Sequence, residues 1–172
     1  MSDTLTAPKD TTRIPDAHPL GALPLDQIAK MSGMDIMQAM LNSQLPAPPI
    51  MVTMDILMSE AEKGRVVFTG TPGRNHMNPQ GTVHGGWLST ILDSTLSCAV
   101  HTELEPGEFY TTTTLNVNMV RPLMPNGKQA ICEGRVVHRG RRLATAEGTL
   151  VDHNGKMIAH GSVSCMITRI GA

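Results

Sequence analysis

The chain has no apolar run of the roughly 18 residues that a membrane-spanning helix requires, so no transmembrane segment is expected. It also lacks an apolar signal core: Met1 to Leu20 is polar and carries prolines, which argues against secretion. Cysteine is scarce, with three residues at positions 98, 132 and 165. Odd in number, widely spaced and each set in an apolar pattern, they read as reduced buried thiols in a cytoplasmic protein, not as a disulfide or zinc framework. An excess of one charge is missing too. Fourteen Lys and Arg against fifteen Asp and Glu leave a net charge of −1, which argues against general nucleic-acid binding. His76, His101, His153 and His160 show no metal-ligand spacing, so no metal is expected. Aromatic residues number only four against thirteen Met, so adaptable thioethers take over part of the filling of the interior.

What remains fits one domain with a sizeable core: 172 residues, 40% hydrophobic and 17% charged. Residues 1–23, polar and punctuated by Pro8, Pro15 and Pro19, read as a disordered tail. Residues 24–48 read as a helical arm: a partial apolar stripe runs from Pro24 to Leu41, interrupted by Gly33 and ended by L-P-A-P-P. The arm is expected to cover one end of a sheet, or else to regulate. Residues 49–172 carry the main pattern. Strands are expected over Ile50 to Met58, Arg65 to Thr71, Tyr110 to Arg121, Gln129 to His138, Leu143 to Asp152 and Lys156 to Thr168, joined by short turns. One long helix sits among them from His84, with Leu88, Ile91, Leu92, Leu96 and Ala99 on a single stripe. That order implies an α+β fold, an antiparallel sheet wrapped around one helix.

The segment Asn78 to Asp93, N-P-Q-G-T-V-H-G-G-W-L-S-T-I-L-D, concentrates the chemistry. Asp93 falls inside an apolar helical pattern yet off its stripe, on the face of Ser89, Thr90 and Ser97, and an ionisable group there needs a reason. Gly85 and Gly86 remove side chains where the helix begins. Free N–H groups at a helix start attract negative charge, including the charge that develops on a carbonyl oxygen under attack, and Gly85 is the natural donor.

N-P-x-G-x-x-H-G-G followed by Asp93 resembles the signature of hotdog-fold acyl-CoA thioesterases of the phenylacetate-degradation (PaaI-like) type. The likeness runs from about Leu45 to Ile167 and takes in T-L-N-V-N-M-V-R-P, G-R-V-V-H-R-G-R-R and A-H-G-S-V-S-C. The resemblance implies a hotdog fold and hydrolysis of a coenzyme A thioester with an aryl-acetyl, aromatic or medium-chain acyl group. It implies no cofactor, coenzyme A being part of the substrate. It also assigns roles: Asp93 as nucleophile or general base, the Gly85 amide as oxyanion donor, His84 and Asn78 orienting water or the leaving group. Thr112 matches a hydroxyl that helps position water, with Thr111 or Thr113 as substitutes and Ser97 as a weaker candidate. A non-catalytic acyl-CoA sensor is the main alternative. A hydratase or dehydratase is the lesser one, since the His and acid arrangement those need is not found.

Spacing adds a constraint of its own. Gly85 and Asp93 are eight residues apart, about 12 Å along one helix, too far to touch one carbonyl carbon. Two antiparallel helices from two copies bring them together, so a homodimer with shared sites is expected, with a tetramer as the larger option. The basic turn holding Arg135, His138, Arg139, Gly140, Arg141 and Arg142 can clamp the phosphates of coenzyme A by charge-assisted forks. His138, Arg139, Gly140 and Arg141 are the expected contacts, because the resembling family keeps basic residues beside this glycine.

Overall fold

Leu92, Leu96, Ala99 and Val100 are fully buried in one 17-residue helix, and the rest of the fold is arranged around them. The computed structural model describes residues 19–169. In order they form α1 (Leu25–Ile28), α2 (Gly33–Leu41), α3 (Ile50–Met54), β1 (Ile56–Glu62), β2 (Arg65–Gly70), the long helix α4 (Gly85–His101), β3 (Glu108–Met119), β4 (Ala130–Arg139), β5 (Leu143–Val151) and β6 (Met157–Arg169). One sheet of six strands runs β1-β2-β4-β5-β6-β3, antiparallel throughout, with β1 and β3 at its edges. This is the α+β arrangement expected from the pattern, and the hotdog fold that the resemblance implies.

The sheet closes on α4 because side chains are missing beneath it. Gly134, Gly148 and Gly161 pair across β4, β5 and β6 in a single row. A Cβ on Gly148 would stand 2.6 Å from Leu96 Cδ2 and 2.2 Å from the Glu133 carbonyl oxygen. Backbone and helix therefore approach as only glycine permits.

Four register shifts interrupt the ladders, at Met58/Glu60, Thr112/Thr114, Val136/His138 and Leu150/Val151, and the second and third bear on the site. Thr112 lies opposite Cys165 and Thr114 opposite Ser164, so Thr113 is extra; Val136 lies opposite Ala146 and His138 opposite Thr145, so Val137 is extra. Each extra residue reverses which face the following side chains take.

The N-terminal segment differs from expectation in two places. Ile50–Met54 is a helix, and the strand begins only at Ile56. A short apolar run suits either state. Here Pro49, with φ −55°, starts a helical turn, and Asp55, in the left-handed region at φ 50°, ends it. The arm is two helices, not one, because Ser32 opens a second start: its hydroxyl accepts from Asp35 N–H at 3.2 Å while the Asp35 carboxylate accepts from Ser32 N–H at 3.3 Å. Gly33 then packs against the end of α4, donating its N–H to Leu104 O at 2.8 Å. Gln38 reaches the Ala61 carbonyl of edge strand β1 at 3.0 Å, and Ile36, Met37, Met40, Leu45 and Met51 join the core cluster that also contains α4. Of the expected tail, residues 1–18 lie outside the described residues; Leu20 is bridged to Ala47. No helix among the described residues is long and apolar enough to cross a membrane.

Candidate active site

His84 caps α4. Its Nδ1 accepts the Gly86 N–H at 2.8 Å, which places the proton of the neutral ring on Nε2 and leaves that edge exposed. The loop before it is closed by its own polar groups. Asn78 Oδ1 accepts from Gln80 N–H at 3.0 Å and Thr82 N–H at 3.1 Å, and Asn78 Nδ2 donates to Thr82 Oγ1 at 2.8 Å. The Asn78 amide thus shapes the loop that delivers His84. His76 supports it from behind: Nδ1 accepts Gly73 N–H at 3.0 Å, Nε2 stands 3.0 Å from Thr53 O, and its carbonyl accepts His84 N–H at 2.7 Å. Trp87, buried one turn into α4, donates Nε1–H to Met54 O at 2.6 Å and ties α3 to the same corner.

The Gly85 N–H, first in α4, has no backbone partner among the described residues. The thioether of Met119, at the end of β3, takes the side-chain space of this glycine: a Cβ on Gly85 would stand 2.9 Å from the sulfur.

Two turns further along, one carboxylate oxygen of Asp93, Oδ1, is buried with no hydrogen-bond partner. The neighbouring hydroxyls of α4 do not serve it. Ser89 donates to Gly85 O at 3.0 Å, Thr90 to Gly86 O at 2.8 Å, and Ser97 accepts from Tyr110 at 3.4 Å. The charge of Asp93 is felt by Cys98, Tyr110 and Cys165, which lie on that side of the helix. Burial, and then Asp93 itself, push the Cys98 thiol up to about 12. Cys165 is raised by the same two causes, and burial raises Tyr110 above its ordinary value. Burial lowers His101, edge-on to Tyr110, to about 4. Neither thiol supplies a thiolate at neutral pH.

Within the threonine run, Thr112 is the half-buried member on the helix-facing side, its Oγ1 4.0 Å from Cys165 Sγ. Thr111 and Thr113 are exposed, and the Thr113 hydroxyl is bonded to Ser164 O at 3.0 Å.

The basic turn splits in two. The Val137 bulge turns Arg139 toward the helix side, where its guanidinium donates to the Gly140 carbonyl and to the buried carboxylate of Glu108. Arg169 joins the same carboxylate at 3.1 Å, and Glu105 N–H donates to it at 3.0 Å. Burial opposes ionisation of Glu108, but the Glu105 N–H and the two guanidiniums outweigh it and hold the carboxyl below its usual range. Arg141 and Arg142 are exposed, and with Ile167, Thr168 and Arg169 they line a hollow of about 520 Å³. His138 is exposed beside Gly140, whose N–H closes the turn on Leu143 O at 2.8 Å. A second hollow of about 750 Å³ lies over the sheet face turned away from α4, around Glu133, Arg135, Glu147 and His160. Neither hollow contains Gly85 or Asp93.

Residues 80–159 match the thioesterase superfamily. Among solved structures, a phenylacetic acid degradation-related protein of Ralstonia eutropha JMP134 is 27% identical over 75% of this chain and 97% of its own, with a TM-score of 0.69. The matched segment and the hotdog fold together support a thioester hydrolase. Two further likenesses show the fold: a mutant form of the phenylacetic acid degradation protein PaaI of Thermus thermophilus (24% identical, 69% of this chain and 97% of that one, TM-score 0.63), and a Streptococcus mutans UA159 protein bound to acetyl CoA (23%, 66% and 89%, TM-score 0.61). No curated protein matches the chain.

Asn78, His84 and Gly85 gather at the start of α4, while Asp93 lies two turns further along the helix and Thr112 on β3, opposite Cys165. The supporting parts played by His76, Trp87, Glu108 and Arg169 emerge only in the structure. A lone His or Trp carries no spacing signal, and Glu108 meets its guanidiniums only across 31 and 61 residues of chain.

Proposed function

We propose that this thioesterase hydrolyses acyl-CoA thioesters to the free acid and coenzyme A. The observation that carries the reading is the buried, unpartnered Asp93 Oδ1 on the central helix of a thioesterase fold. A carboxylate oxygen without a donor is costly as architecture and is suited to a water proton or a carbonyl carbon. Asp93 either adds to the thioester carbon, giving an anhydride that water then hydrolyses to the free acid, or takes the proton of a water that itself adds to that carbon. The Gly85 N–H receives the charge that develops on the carbonyl oxygen, and coenzyme A leaves as the thiolate and takes up a proton. Thr112 orients the water, and the exposed Nε2 of His84 faces the departing sulfur. No cofactor or metal enters this scheme.

Gly85 and Asp93 are about 12 Å apart along α4, so one site draws on two antiparallel copies. The reading is therefore of a homodimer, or a tetramer built from it, in the cytoplasm, and the three free cysteines are in keeping with that compartment. The acetyl CoA bound to the streptococcal neighbour supports the substrate class. The exposed Arg141 and Arg142 are the groups available to its phosphates, with His138, Gly140 and Arg139 shaping the turn.

The test is thiol release from a panel of aryl-acetyl, benzoyl and straight-chain acyl-CoAs by wild type and Asp93→Asn. Turnover by wild type and a loss of at least about a hundredfold in kcat in the variant are expected. Equal turnover by a folded Asp93→Asn protein removes Asp93 from the chemistry.

A further inference from the structure

Met119 closes β3 on the side facing α4, opposite the fully buried Ala159. Its thioether fills the space a side chain on Gly85 would take, with Sδ 2.9 Å and Cε 3.0 Å from that Cβ position, yet the residue is 49% exposed. Met77, Val120 and Met124 are exposed as well. They are drawn to the same corner by the Met77–Val83 bridge, the Val83 N–H on Leu123 O at 2.9 Å and the Val120 N–H on Ile158 O at 2.9 Å. None of these four side chains carries an N–H or O–H group.

We propose that Met119 is the residue that sets acyl-group size in this enzyme. The inference rests on the reading of Gly85 as oxyanion donor. A carbonyl oxygen bonded to the Gly85 N–H puts the first carbons of its acyl chain within a few ångströms of whatever covers that glycine, and the cover is Met119. An aliphatic or aryl chain gains contact from these apolar side chains, from which the amides of the pantetheine arm gain no hydrogen bond. An unbranched thioether on three rotatable bonds can swing aside for a larger group. A rigid or larger side chain there cannot.

The experiment compares kcat/KM for acetyl-, hexanoyl-, decanoyl- and phenylacetyl-CoA in wild type, Met119→Ala, Met119→Phe and the volume-conserving Met119→Leu, alongside inhibition by free coenzyme A and oligomeric mass. In Met119→Ala the preference for decanoyl over acetyl is expected to rise about tenfold, the scale of a few methylenes in an apolar pocket, and in Met119→Phe to fall by a similar factor. Met119→Leu keeps the wild-type order, and inhibition by free coenzyme A stays unchanged in all three. A loss equal for every acyl group overturns the proposal, because Met119 then acts on the fold or the oxyanion donor. Inhibition by free coenzyme A that shifts with the variants assigns Met119 to the pantetheine arm. A changed oligomeric mass assigns Met119 to a subunit contact. Absence of hydrolysis of any thioester by wild type is a separate outcome that removes the acyl-CoA reading itself.

Discussion

Arg139 is bonded to Glu108, thirty-one residues earlier in the chain. Glu108 is 8% exposed and holds a second guanidinium, that of Arg169. One turn of the sheet therefore contains two kinds of arginine, one fastening the start of β3 beside the end of α4 and the others facing outward.

That division predicts different phenotypes for adjacent substitutions. Arg139→Ala leaves Glu108 buried with one guanidinium and is expected to lower stability by about 1–3 kcal/mol. Joint Arg141→Ala and Arg142→Ala is expected to change stability by less than about 0.5 kcal/mol and to raise KM for CoA thioesters but not for pantetheine thioesters. Urea unfolding together with steady-state kinetics separates the two. A rise in KM with Arg139→Ala and none with the double variant would reverse the assignment.

His101 predicts a pH dependence of stability. Its pKa is lowered from about 6.5 to about 4 by burial, so between those values the unfolded chain binds a proton that the folded chain refuses. Stability from this residue is full above about pH 6.5 and declines as pH falls toward 4, by up to about 3 kcal/mol. Urea midpoints across that range should slope upward with pH in wild type, and His101→Gln should remove much of the slope. An unchanged slope would assign it to other groups.

Asp93 predicts a trade between activity and stability. Because Oδ1 is buried without a donor, replacing the carboxylate by a neutral amide removes a charge whose desolvation no hydrogen bond to that oxygen offsets. Asp93→Asn is expected to melt at the same temperature as wild type or higher, with a gain of up to about 1–2 kcal/mol. A marked drop in Tm would mean that the carboxylate holds the fold.

Sharing of the site between copies predicts complementation. Asp93→Ala and His84→Ala chains, each inactive, are refolded together in equal amounts. Half the dimers are mixed and half the sites in those draw both intact residues, so roughly a quarter of wild-type activity is expected under twofold symmetry. Verified mixed dimers without activity would show that each chain builds its own site.

The long helix and most strands are legible in the sequence because their periods of 3.6 and 2 are written in where apolar residues fall, and because His84 and Gly85 mark the start of α4 in chain order. The grouping of Asn78, His84 and Gly85 is legible for the same reason, being local. Ile50–Met54 reads as strand by pattern, yet five mostly apolar residues satisfy either period, and the choice falls to Pro49, Asp55 and the Trp87 bond to Met54. Only the tertiary structure could say which threonine faces the helix and where Arg139 points. A bulge adds one residue to one strand without altering composition, and it is visible only as a register against the neighbouring strand; Thr113 and Val137 each reverse the faces of the side chains that follow. The pairing of Arg139 and Arg169 with Glu108 is hidden likewise, since side-chain contacts across 31 and 61 residues are created by the closing of the sheet around α4 and leave no periodic trace in the chain.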